Sequence, residues 1–135
     1  MIKILLLLFL SISIFADNAS LASNIINTIA ANITNKKNPK IFIYKKPLPY
    51  EIDTKVLNLV SNCDDADIIL VKSTIDLSKS CSKKFIFGTR YSSLEYIDVI
   101  GAFFWQKGRP NILFYKSRLN EKHILLDDSF SKYIE

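Results

Sequence analysis

The sequence predicts a small α/β layered domain: a mostly parallel sheet with a C-terminal β-hairpin and helices on both faces. Three observations predict it. Two apolar runs, Asp67-Ile68-Ile69-Leu70-Val71 and Phe85-Ile86-Phe87, lack polar alternation, as strands buried on both faces require. Helix-like segments precede and separate such runs, the order that parallel strands with right-handed crossovers produce. Near the end, two β-rich runs flank Lys107-Gly108-Arg109-Pro110, a short glycine-containing connection that makes a hairpin.

In chain order, the first element is an address. Met1-Ile2-Lys3 is followed by an apolar run from Ile4 to Phe15, broken only by Ser11 and Ser13, and then by Ala16. This is the pattern of a cleaved export signal, residues 1–16. The run is shorter than the ~20 residues a membrane span needs. The expectation is a soluble, unanchored chain in the periplasm, with a cut after Ala22 as the alternative. Residues 17–135 are then read as a single α/β domain, long enough to bury a core.

Ser20 to Thr34 carries Leu21, Ile25, Ile29 and Ile33 at helical spacing, with Ser20 as a possible N-cap. Ile41-Phe42-Ile43-Tyr44 is a short strand, and Pro47 and Pro49 break the chain after it. Ile52 to Val60 reads as a helix capped by Asp53, with Val56, Leu57 and Val60 on one face. After the strands at 67–71 and 85–87, Ser92-Ser93-Leu94-Glu95 reads as a capping box opening a short helix through Ile97. Val99–Gln106 and Asn111–Tyr115 are the hairpin strands; Phe103 and Trp105 face one side, Ala102 and Phe104 the other. Asp128 or Ser129 caps a final helix, Phe130 to Glu135.

Composition excludes several functions. The formal net charge is +5, yet of 18 basic residues only Arg90, Arg109 and Arg118 are arginines. Nucleic-acid readers favour arginine for bidentate contacts, so no nucleic-acid partner is expected. The single His123 lies in a polar stretch and reads as a surface residue. With so few soft ligands no metal site is expected, and no sequence fingerprint calls for a cofactor. The G-x-S-x-G nucleophile elbow is missing, and the acidic pairs Asp64-Asp65 and Asp127-Asp128 fit turns and caps. The chain is not read as an enzyme. The two cysteines, Cys63 and Cys81, are an even pair outside a reducing compartment and are expected to form a disulfide. Each precedes an expected strand, so parallel neighbours would bring both thiols to one sheet edge.

The hairpin carries a resemblance. Ile100-Gly101-Ala102-Phe103-Phe104-Trp105, a turn with Gly108-Arg109, the strand Ile112-Leu113-Phe114, a polar segment and a terminal apolar helix resemble the back half of the YfiR-like periplasmic proteins. The order of elements in the front half is similar too. The resemblance implies a periplasmic regulator. Its best-known members hold a membrane diguanylate cyclase inactive by binding its periplasmic part, and release it under redox or envelope stress.

The residues themselves suggest a second use. In an open α/β sheet, ligands bind at the carboxyl ends of the strands. Three loops should leave that edge: one with Lys45, one with Lys72 and Ser73, one with Thr89 and Arg90, the last opening a helix whose N–H groups attract anions. Lys45, Lys72, Ser73, Thr89 and Arg90 are therefore candidate ligands for a small anion. Polar residues also simply end strands, so a solvated rim fits equally. Two expectations stand. One is control of a membrane-anchored signalling protein, a diguanylate cyclase or sensor, by protein–protein contact. The other is a small-anion binding module of solute-binding type.

Overall fold

In the computed structural model, six strands form one sheet in the order β2-β1-β3-β4-β5-β6. Residues 18–135 are described in full, and of residues 2–17 only the helical backbone; the expected export signal, 1–16, lies outside the fully described part. The strands are β1 Lys40–Ile43, β2 Asn58–Leu59, β3 Ile68–Val71, β4 Phe85–Gly88, β5 Val99–Gln106 and β6 Arg109–Phe114. All neighbours are parallel except β5 and β6. The helices are α1 Ile2–Thr34, α2 Lys79–Ser82 and α3 Lys116–Glu121, with 3-10 helices at Tyr91–Glu95 and Asp128–Tyr133. The expected α/β class, mostly parallel sheet and C-terminal hairpin are all present.

Why the strands read as unbroken apolar runs is now plain. Ile68 and Leu70 join one core cluster while Ile69 and Val71 join the other. The first cluster is the larger and lies under α1, α3 and the last 3-10 helix. The second is covered only by short elements: α2 supplies Cys81 and the 3-10 helix at Tyr91–Glu95 supplies Leu94. At that thinner side Cys63 and Cys81 stand at disulfide distance, Cα to Cα 5.4 Å. β3 and β4 pair with Ile68 opposite Phe85, which places both cysteines before the N-terminal ends of neighbouring strands, as the spacing implied.

Several local expectations are corrected. Ser20 is not a cap, because α1 runs through it. The buried stripe of α1 is Ala22, Ile26, Ile29, Ala30 and Ile33, while Leu21 is 43 % exposed. Small Ala22 and Ala30 let the helix approach the sheet, and each buried Ile contributes ~1.5–3 kcal/mol. α1 ends where Asn35 turns left-handed (φ 56°) and the Lys36 amide reaches Ala31 O at 3.2 Å.

Residues 52–60 are not a helix. Asp53 Oδ1 accepts the Lys55 amide at 3.0 Å, which caps a turn, and Asn58–Leu59 then pair with β1. The segment is short enough that an isolated two-turn helix is marginal, and pairing with β1 satisfies its backbone instead. Nor does Ser92 open a helix: the 3-10 helix starts after Arg90, whose amide donates to Ser93 Oγ at 3.2 Å. The terminal helix is a 3-10 helix capped by Asp127, not Asp128 or Ser129. It ends with Glu135 N donating to Phe114 O at 2.8 Å, which ties the C-terminus to β6. The hairpin turn is only Lys107-Gly108, both at positive φ, 54° and 74°, so Arg109 and Pro110 belong to β6. Proline is tolerated there because β6 is an edge strand.

β5 is not a simple alternating strand. Ile86 pairs with Val99 but Gly88 pairs with Ala102, so β5 holds one extra residue. That bulge puts Val99 and Ala102 in one core cluster and Ile100 and Phe103 in the other. Gly101 belongs to it for a steric reason: a Cβ there would meet Leu113 O at 2.5 Å.

Candidate functional site

The C-terminal edge is built around Ser93, which is fully buried. Its Oγ donates to Lys72 O at 2.8 Å, lies 3.2 Å from Val71 O, and accepts the Arg90 amide. The Thr89 amide also donates to Val71 O, at 2.9 Å. These bonds fasten the chain leaving β4 to the chain leaving β3. Gly88 allows the close fit, since a Cβ there would lie 2.5 Å from Ser93 Cβ. Ser93 was visible in the sequence only as part of a capping pattern; its reach to β3 depends on the strand order.

The five candidate ligands do not share one place. Lys45 is left-handed (φ 56°) and its Nζ lies 3.7 Å from the Asp76 carboxylate. Tyr44 Oη donates to Ile75 O at 3.1 Å. These contacts link the loop after β3 to the end of β1, beside the point between β1 and β3 where the strand order reverses and such sheets usually bind ligands. Lys72 is exposed and Ser73 half-buried. Thr89 is buried, and its hydroxyl reaches Val71 O at 3.3 Å. Arg90 alone presents an exposed cationic side chain at a hollow. The helix expected behind it is a five-residue 3-10 turn, too short to act as an anion-binding terminus.

Two adjoining hollows lie along this edge. One, of about 470 Å³, lies between β1 and the segment after it, against Ile43, Leu48, Ile52 and Leu59. The other, of about 290 Å³, is bounded by Thr89, Arg90, Tyr91, Phe104, Trp105 and Gln106. Pro49 and Tyr50 are the wall between them. Tyr50 reaches far across the sheet edge: its ring centre is 5.0 Å from that of Phe103 and 6.3 Å from that of Trp105, and its hydroxyl donates to Phe103 O at 3.3 Å. Burial pushes its phenol well above the usual tyrosine range, so Tyr50 is neutral and serves as a wall.

Tyr91 is 62 % exposed and stands edge-on to Phe104, 5.6 Å between ring centres. Beyond Gln106 a third depression, at the hairpin tip, is lined by Lys107, Arg109 and Asn111. The second hollow and the hairpin-tip depression thus combine aromatic surface with three cations: Arg90, Lys107 and Arg109. Among the described residues the ion pairs within 4.0 Å are Lys36–Asp67 and Lys45–Asp76, so those three have no carboxylate partner. Trp105, placed by the strand alternation on one face with Phe103, is half-buried and also lines the hollow. Tyr50, Tyr91, Lys107 and Arg109 were missed as site residues, and the aromatic after the Pro47 and Pro49 breaks was the available signal for the first.

No protein-family model matches the chain, and neither a curated protein nor a solved structure matches it. Among the described residues no helix is long and apolar enough to cross a membrane.

Proposed function

We propose that the chain is an exported periplasmic binding protein that regulates a membrane-anchored signalling protein, a diguanylate cyclase or a sensor, by protein–protein contact. One observation carries this reading: the strand-end rim gathers Tyr50, Tyr91, Trp105 and Arg90 around one hollow. Tyrosine, tryptophan and arginine are the residues enriched at the energetic centres of protein interfaces. The resemblance of the hairpin and the order of elements to the YfiR-like proteins points the same way. A small-anion site has less to draw on, because the Thr89 hydroxyl is bonded to Val71 O and the Asp76 carboxylate, 3.7 Å from Lys45 Nζ, sets a negative charge beside that lysine.

The test is affinity capture from detergent-solubilised membranes, with the mature wild-type chain and Arg90→Glu side by side. The expected result is retention of a membrane cyclase or sensor by the wild type and at least a tenfold loss with the variant. Recovery of no signalling protein, or equal capture by both chains, overturns the reading. Fractionation by osmotic shock checks export in the same cells, with the processed chain expected in the periplasmic fraction.

A further inference from the structure

We infer that the segment recognised at this edge is an acidic stretch carrying one large apolar or aromatic side chain, which enters the hollow bounded by Tyr50, Tyr91 and Trp105. The inference rests on the binding function proposed above and specifies the chemistry of the partner. Size is the first argument. At about 290 Å³ the hollow is at the lower limit for a drug-sized ligand, ~300 Å³, and suits a single anchoring side chain. Its walls are aromatic, and Tyr91 stands 62 % exposed at its rim, so an apolar anchor would remove aromatic surface from water on both partners.

Charge is the second argument. Arg90 stands at the mouth, and Lys107 and Arg109 continue past Gln106 onto the hairpin tip. None of the three has a carboxylate partner among the described residues. The one carboxylate lining either of the two adjoining hollows is Glu51, and it lines the other hollow. A partner with carboxylates on both sides of its anchor would meet Arg90 and Arg109 in complementary order, and arginine suits carboxylates because its fork donates two parallel bonds. The flanking charges would steer and orient the segment, and the buried anchor would supply most of the binding energy.

The experiment is fluorescence anisotropy on the intact mature chain with a dye-labelled acetyl-Asp-Glu-Phe-Glu-Asp-amide peptide. Two control peptides replace Phe by Gly, or the four acids by their amides. The expected result is saturable binding that weakens with salt and falls at least tenfold with either control. Arg90→Glu/Arg109→Glu should bind the acidic peptide at least tenfold more weakly and prefer a lysine-bearing version of it. Both sites are exposed, so unchanged circular dichroism and melting are expected. Tyr91→Ala should weaken the Phe peptide and leave the Gly peptide unaffected. Equal binding of the amide peptide, indifference to Phe, full displacement by low-millimolar inorganic phosphate, or no binding at millimolar peptide each overturns the inference. If membrane capture succeeds while the peptide fails, the regulatory reading stands without this partner chemistry. If the peptide binds as expected and capture fails, the surface chemistry stands and the regulatory reading falls.

Discussion

Replacing Gly88 by alanine should destabilise the protein by about 3 kcal/mol, through overpacking and lost hydrogen bonds. The new Cβ would lie 2.5 Å from Ser93 Cβ and 3.1 Å from Ala102 Cβ. Ordinary contact begins near 3.4 Å, so the 3-10 helix must retreat by about 1 Å. Overpacking of this kind costs ~1–3 kcal/mol. The retreat also pulls Ser93 Oγ from Lys72 O and Val71 O, at ~1 kcal/mol per bond. Lower chain entropy of the unfolded alanine variant returns ~0.4–1 kcal/mol. The assay is urea unfolding in two double-mutant cycles. Ser93→Ala keeps the Cβ that alanine at 88 would strike; Ser93→Gly removes it. Coupling to Gly88→Ala should therefore be larger in the glycine cycle, by ~1–2 kcal/mol. Equal coupling in the two cycles, or a Gly88→Ala cost below ~0.5 kcal/mol, would refute the steric account. The variant that does fold should also bind its partner more weakly, because Arg90 and Tyr91 move with the helix.

Other residues give sharper single tests. Cys63 and Cys81 are 18 residues apart in sequence; reducing the pair should cost about 3 kcal/mol in the chain-entropy model and raise the urea m-value, read by denaturation with and without reductant. Two free thiols in the chain denatured without reductant would contradict the pairing. Burial raises the pKa of Asp67, but hydrogen bonds from Lys36 Nζ (2.6 Å) and the Lys40 amide (2.8 Å), with the charges of both lysines, outweigh it and leave the carboxyl below its ordinary value. Its stabilisation is thus present above the unfolded pKa, ~3.9, and lost as pH falls through the folded one; Asp67→Asn should flatten the acid limb of stability against pH and cost only ~1 kcal/mol near neutrality. Arg118 donates from one Nη to Tyr96 O (3.1 Å) and Val99 O (2.8 Å) and stacks over Tyr115 at 4.7 Å. Arg118→Ala should cost ~2 kcal/mol, and Arg118→Lys should recover less than half of it, as measured by urea unfolding.

The parts of the fold that were legible are those in which burial alone dictates the sequence. Ile68–Val71 faces a core cluster on each side, so no polar residue interrupts it and the strand is evident. The register of α1 was not legible: Leu21-Ile25-Ile29 and Ala22-Ile26-Ile29 are both apolar ladders, and only the sheet surface chooses between them. Residues 52–60 carry helical spacing, but the free edge of β1 captures Asn58–Leu59. A neighbour in space outweighed the local pattern, and the pattern holds no trace of that neighbour.

The candidate site divides along the same line. Arg90 could be found because polar residues at a strand end are a local signal. Lys45 carries the same signal, yet its Nζ has a carboxylate 3.7 Å away, Asp76, which lies on a different loop. Tyr50 sits where two prolines suggested nothing beyond a chain break, and its packing on Phe103 spans 53 positions in sequence. To make that contact, the chain after β1 must pass the ends of β3 and β4, a path set by the strand order. Charge can be read residue by residue, but whether a charge is free depends on which loops meet. Arg90, Lys107 and Arg109 are therefore informative for a reason the sequence does not contain: each stands beside the aromatic hollow or at the hairpin tip next to it, and the described fold brings it no carboxylate. An unpartnered cation beside aromatic surface is a state a partner can improve, and for that reason Arg90 and Arg109 rather than Lys45 are the positions at which charge reversal should be felt.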